Sequence, residues 1–116
     1  MFVFNRQINK QYLSEVYADD QEIITVMMTI FLTDSIPTWR SVAELLQQNN
    51  YKKAGELVHR IKPSFTMVGL QDFHDPIQEL ETTLKLTPEP SKIASLYELI
   101  DTEIQFILPQ IETFLG

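Results

Sequence analysis

Histidine is the side chain whose nitrogen can act as a nucleophile near neutral pH without a helper base, since its reference pKa is ~6.5. The 116-residue sequence has two of them, His59 and His74. His59 sits in a stretch with helical periodicity: Tyr51, Ala54, Val58, Ile61, Phe65 and Val68 recur three and four apart as a buried seam. At ~100° per residue, His59 lies roughly 130° from that seam, so it is expected on the solvent side. Gly55 and Pro63 stand one turn on either side and carry no flexible side chain to cover the ring. Lys62, three residues on, can bring an ammonium beside whatever the imidazole holds. An accessible neutral imidazole with a nearby cation suits phosphoryl transfer to nitrogen, a reaction that depends on positioning and charge stabilisation.

Other chemistries lack their residues. There is no cysteine, which excludes thiol catalysis, disulfides and thiolate-bound zinc. Glu56-x-x-His59 has the spacing of di-iron bundle sites, but those need a second Glu-x-x-His, and His74 is preceded at that position by Gln71. No metal site is expected. His74 reads as a loop or helix-start residue. Three glycines and no phosphate-binding loop argue against a nucleotide fold, so phosphorylation from ATP is not expected. Glu79, Glu81 and the run from Glu98 to Glu103 read as solvated helix faces, and Trp39 as core.

The elements that must position His59 are helices. Strand-like alternation bounded by hairpin turns is missing, and apolar residues keep helical spacing almost throughout. A short leading helix carries Tyr12, Leu13, Val16 and Tyr17, with Asp19 or Asp20 able to cap the next. A second segment runs from about Gln21 to Gln48, with Ile23, Ile24, Met27, Ile30, Phe31, Val42, Leu45 and Leu46 on related faces. Pro37 in its middle cannot donate to the Thr33 carbonyl, so a kink or break is expected there. Asn49 and Asn50 end it. The third helix spans roughly Tyr51 to Val68 and stops at Gly69. A fourth, with Leu70, Phe73, Ile77, Leu80 and Leu84, starts somewhere between Leu70 and Asp75, because Pro76 suits a first turn. After Thr87–Ser91, with Ser91 as capping candidate, Ile93, Leu96, Ile100, Ile104, Ile107, Ile111 and Phe114 mark a final helix that includes Pro109. The expected fold is all-α: one domain over residues 1–116, an up-down antiparallel four-helix bundle with a short extra N-terminal helix.

Composition limits the partners. Nine Lys and Arg against sixteen Asp and Glu give a formal net charge of −7, which opposes binding to nucleic acid and to anionic lipid. With 44% hydrophobic and 22% charged residues the chain is globular rather than disordered. The apolar stretch Ile23–Leu32 is well short of the ~20 residues needed to cross a bilayer, and Met1–Lys10 lacks the apolar run of a signal peptide, so a cytoplasmic protein is expected.

The string from Ala54 to Leu70 resembles the active helix of histidine-containing phosphotransfer (HPt) domains. His59, Ile61, Lys62, Ser64, Val68, Gly69 and Leu70 fall in register with that family's pattern of His, apolar, Lys, small residues and apolar-Gly-apolar. Leu80-Glu81 looks like the Leu-Glu pair common in the family's next helix. The short first helix, the long second segment with Phe31 and the Asn49-Asn50-Tyr51 junction also fall where the family has counterparts. Pro63 stands where the family usually has Gly. It keeps the low profile but removes the amide that would bond the His59 carbonyl, which predicts a local distortion. Phe65 is large where a small residue is common, and falls on the buried face.

The resemblance implies a phosphorelay intermediate, a carrier rather than an independent enzyme. His59 would accept a phosphoryl group at Nε2 from the aspartyl phosphate of a response-regulator receiver domain and pass it to another receiver, with Lys62 stabilising the charge. It implies no cofactor in this chain, with magnesium held by the receiver. Expected partners are receiver domains and a hybrid sensor histidine kinase, met by a monomer. Docking candidates are Tyr12, Val16, Pro63, Met67 and Phe73, with Gly55, Glu56 and Thr66 at the edge. The alternative is a helical adaptor that binds a receiver or other signalling protein without transferring phosphate.

Overall fold

The computed structural model describes residues 2–116. Among the described residues there are helices, turns and loops, and no strand. Helix α1 (Lys10–Val16) starts where the Asn9 side chain accepts the Tyr12 amide at 3.0 Å. Helix α2 (Gln21–Ile30) is capped by Asp20, which accepts the amides of Glu22 and Ile23. The break expected at Pro37 takes a definite form. Residues Phe31–Ser35 make a π-helical turn in which the Ile36 amide donates to the Phe31 carbonyl, and α3 (Ile36–Gln47) then carries Pro37 in its first turn. The backbone stays helical through this turn, and the local shift to wider i→i−5 bonding accommodates Pro37, which has no amide to donate, without ending the helix.

Helix α4 (Tyr51–Met67) is capped by Asn50, whose side chain accepts the Lys53 amide. It ends as expected at Gly69. The Gly69 amide donates to Thr66 O and that of Leu70 to Phe65 O, a double closure that needs the glycine's φ of 81°. The helix runs through Pro63 without interruption, so the distortion expected beside His59 does not break it. A 3₁₀ turn, Gln71–Phe73, leads into α5 (His74–Lys85), with Pro76 in its first turn. Helix α6 (Pro90–Leu115) begins before Ser91, which therefore lies inside the helix and is not its cap. Glu89 holds the capping position with no side-chain bond, and Pro90, with its preset φ, occupies the first helical position.

The long helices pack in chain order, α3 on α4, α4 on α5 and α5 on α6, and α2 returns to α6. Their buried side chains form one connected core, including Met28, Phe31, Trp39, Val58, Ile61, Phe65, Ile77, Leu80, Ile100 and Ile107. Phe65 fills its centre, edge-on to Phe31 and stacked on Phe73 with ring centroids 5.0 and 5.1 Å away. Trp39 stacks on Tyr97 and donates from Nε1 to Asp101 at 2.9 Å. The α2 seam departs from expectation. Ile24, Met28 and Phe31 are buried, but Ile23 and Ile30 are exposed, and so is Val26.

The N-terminal residues before α1 lie across the end of the bundle. The Asn9 amide donates to Gly69 O at 2.9 Å, and the Asn5 amide to Asp72 at 2.7 Å. Arg6 meets Glu103 with two parallel bonds of 2.9 and 3.0 Å and lies over the Phe106 ring. Glu103 is thus buried and paired, not part of a solvated face as its neighbours suggested.

Candidate functional site

Helix α4 turns Gly55, His59 and Lys62 toward α5. Since i, i+3 and i+4 positions share a flank, the three line up along the α4–α5 seam. The His59 side chain is 63% exposed, as expected, yet its ring is not free. Nδ1 lies 2.7 Å from Oε2 of Glu81. Glu81 is no solvated residue: it is 4% exposed, on the same face of α5 as Ile77, Leu80 and Leu84. Its two oxygens take three donors. Oε1 accepts from Lys62 Nζ at 2.8 Å, and Oε2 accepts from both His59 and Lys85 Nζ, the latter at 2.8 Å. Lys62 Nζ also donates to Gln78 Oε1 at 2.7 Å.

Burial by itself pushes the Glu81 carboxyl up. The bonds from Lys62, Lys85 and His59 outweigh it and lower the group from the usual 4.5 to about 2. At neutral pH Glu81 is therefore a carboxylate and can only accept. That assigns the proton: Nδ1 carries it and donates to Glu81, and in the neutral ring Nε2 is left with a lone pair facing solvent. An oriented imidazole with a free Nε2 can attack an electrophilic phosphorus; the carboxylate behind it stabilises the cationic ring that results, and the two ammonium groups supply positive charge for the phosphoryl oxygens.

Gly55 serves this cluster in a way its sequence position did not reveal. It is buried, and a Cβ there would lie 3.2 Å from Lys85 Cγ. The Lys85 stem passes over the glycine to reach Glu81. Gly55, placed by the sequence at the edge of the docking surface, is covered by that stem. Phe73, another docking candidate, is also buried, held between Phe65 and Phe4. Val16, Glu56, Pro63 and Met67 are exposed, and Tyr12 and Thr66 partly so. The other flank of α4 faces the α2–α3 side, where Arg60 donates to Thr38 Oγ1 at 2.6 Å and to Asp34 at 3.3 Å. Tyr17 donates to the Met67 carbonyl at 2.8 Å, bringing the end of α1 to the end of α4. His74 sits exposed at the start of α5.

Sequence reasoning missed Glu81, Gln78 and Lys85. For Glu81 a signal existed: a carboxylate three residues before Leu84 and four after Ile77 stands on an apolar stripe, where a charge must be paired. For Gln78 and Lys85 no comparable signal exists, because both are ordinary residues for an exposed helix face.

The sequence model of the Hpt domain matches residues 26–111, which includes every residue of the His59–Glu81 cluster. The chain belongs to the Hpt domain family. No curated protein and no solved structure matches it significantly. Membership places it in two-component phosphorelay signalling, in a histidine phosphotransfer role, and Hpt domains interact with the receiver domains of response regulators and with hybrid kinases. Among the described residues no helix is long and apolar enough to cross a membrane.

Proposed function

We propose that His59 is the phosphoryl carrier of this Hpt domain, and that it works between two receiver domains. The observation that carries the reading is the hydrogen bond from His59 Nδ1 to a buried, ionised Glu81, made by an imidazole that is otherwise open to solvent. The Nε2 lone pair attacks the phosphorus of a receiver's aspartyl phosphate. The Nε2–P bond forms as the P–O bond to the aspartate breaks, and the aspartate leaves as a carboxylate. The ring becomes cationic, and Glu81 holds its Nδ1 proton throughout. Lys62, fixed by Glu81 and Gln78, adds a static positive charge beside the reaction. The reverse sequence delivers the phosphoryl group to the next receiver. The magnesium ion belongs to the receiver's acidic pocket.

The receiver docks on the apolar surface beside His59. Val16, Pro63 and Met67 supply it, with Ile23, Val26 and Ile30 of α2 added to the residues the sequence indicated, and Tyr12, Glu56 and Thr66 at the margin. The helices make an up-down antiparallel bundle, and the domain acts as a cytoplasmic monomer. The test is incubation with phosphorylated receiver domains and magnesium. Label is expected on the wild type, acid-labile and alkali-stable, and absent from His59→Gln, whose fold stays intact. If no receiver transfers label and one still binds, the domain is an adaptor and the carrier reading falls.

A further inference from the structure

The two lysines on Glu81 are not equivalent. Lys62 has two acceptors, Glu81 Oε1 and Gln78 Oε1, and its side chain is 19% exposed. Lys85 has one, Glu81 Oε2, and is 42% exposed, at the last turn of α5. Lys85 also shares that oxygen with the His59 ring, so its ammonium lies within two hydrogen bonds of Nδ1. Its stem crosses α4 over Gly55, one turn before His59, where no Cβ stands in the way. Moving Lys62 away would break two bonds to a half-buried ammonium. Moving Lys85 breaks one, and Glu81 keeps Lys62 and His59 as donors.

We propose that Lys85 is the mobile phosphoryl-binding residue of the site: when His59 is phosphorylated it leaves Glu81 and binds the phosphoryl oxygens, while Lys62 stays in place. This rests on His59 being the carrier. Rotation about the terminal side-chain bonds releases Nζ from Glu81 while the stem stays packed over Gly55. The new phosphoryl group brings negative charge and strong acceptors, which draw the less committed ammonium. Departure of Lys85 also leaves Oε2 to the ring alone at the moment the ring becomes cationic. The proton on Nδ1 is then held by an acceptor no longer shared.

The test uses phosphoramidate, a small donor that needs no docking. Its P–N bond breaks as Nε2–P forms, and the nitrogen leaves as ammonia. Rates of His59 phosphorylation are compared for the wild type, Lys85→Met and Lys85→Arg, and the lysine ammonium ¹⁵N signals of Lys62 and Lys85 are followed during the reaction. Lys85→Met is expected to slow phosphorylation about tenfold, with Lys85→Arg recovering most of it, as for loss of one positioned charge donor. In the wild type the Lys85 signal should shift on phosphorylation and that of Lys62 should hold. Equal rates for wild type and Lys85→Met, or movement of Lys62 instead of Lys85, overturns the assignment and leaves the carrier reading standing. If neither phosphoramidate nor any phosphorylated receiver labels the wild type, the carrier reading fails, and the role of Lys85 with it.

Discussion

Replacing Glu81 by glutamine keeps the shape of the side chain and removes its charge. In the folded protein the carboxyl is lowered from 4.5 to about 2. Each unit corresponds to ~1.4 kcal/mol, so the ionised form contributes about 3 kcal/mol of stability. The sign follows from proton binding. Between about pH 4.5 and pH 2 the unfolded chain holds this proton and the folded protein does not. Stability therefore rises with pH across that window, is fully present above it, and is lost as pH falls through about 2. Glu81→Gln should be about 3 kcal/mol less stable than wild type at pH 7, a large fraction of a small domain's total of ~5–15 kcal/mol, and the two should converge near pH 2. Urea unfolding followed by the fluorescence of Trp39, the sole tryptophan, at pH 7, 4 and 2.5 measures this. A difference that stays constant with pH, or falls below about 1 kcal/mol at pH 7, would refute the reasoning. The same variant tests the tautomer. A glutamine amide can donate to Nδ1, which moves the ring proton to Nε2 and removes the lone pair, so labelling of His59 by a phosphorylated receiver should drop about tenfold or more.

Three further outcomes follow from the packing. Gly69→Ala places a Cβ 3.1 Å from Asn9 O and Ile8 Cγ2 at a φ of 81°; it should lose about 1–2 kcal/mol or more in urea unfolding and expose the Asn9 amide to hydrogen exchange. Pro63→Ala restores an amide that can donate to the His59 carbonyl inside α4, and should gain about 1–3 kcal/mol, with residue 63 newly protected from exchange; no gain would mean that α4 accommodates the proline without loss. Arg6→Ala leaves the buried Glu103 without its guanidinium and should free the N-terminal segment, read as faster exchange over Asn5–Asn9 with α4 and α5 unchanged.

Helical period, caps and stops were legible in the sequence because they depend on neighbours in the chain. Asp20 and Gly69 act where local chemistry puts them, and His59 is exposed as its angle from the seam requires; Asn50, read only as the end of the second segment, also caps α4. Family membership followed from the string around His59. What was hidden depends on contacts between distant residues. Glu81 is 22 positions from His59 and Arg6 is 97 from Glu103, and no periodicity relates such pairs. The same limit applies to α2. Spacing made Ile23, Ile24, Met27 and Ile30 look like one buried face, yet how wide a stripe is covered depends on the neighbouring helices, and here it includes Ile24 and Met28 but neither Ile23 nor Ile30. Ser91 failed as a cap because Pro90 already fits the first helical position.

Helix α4 uses its two flanks for different things. Gly55, His59 and Lys62 engage α5, while Arg60 reaches the α2–α3 side, where the exposed Ile23, Val26 and Ile30 stand on α2. On the proposed docking surface, Ile23, Val26 and Ile30 stand on a different helix from the reactive cluster, which α4 and α5 hold. Duplicated copies of such a gene can diverge in what they recognise through substitutions on α2, with the proton on Nδ1 and the carboxylate that holds it left intact. A new signalling wire can be drawn without rebuilding the switch, and two such domains in one cell can be insulated from each other while running the same reaction.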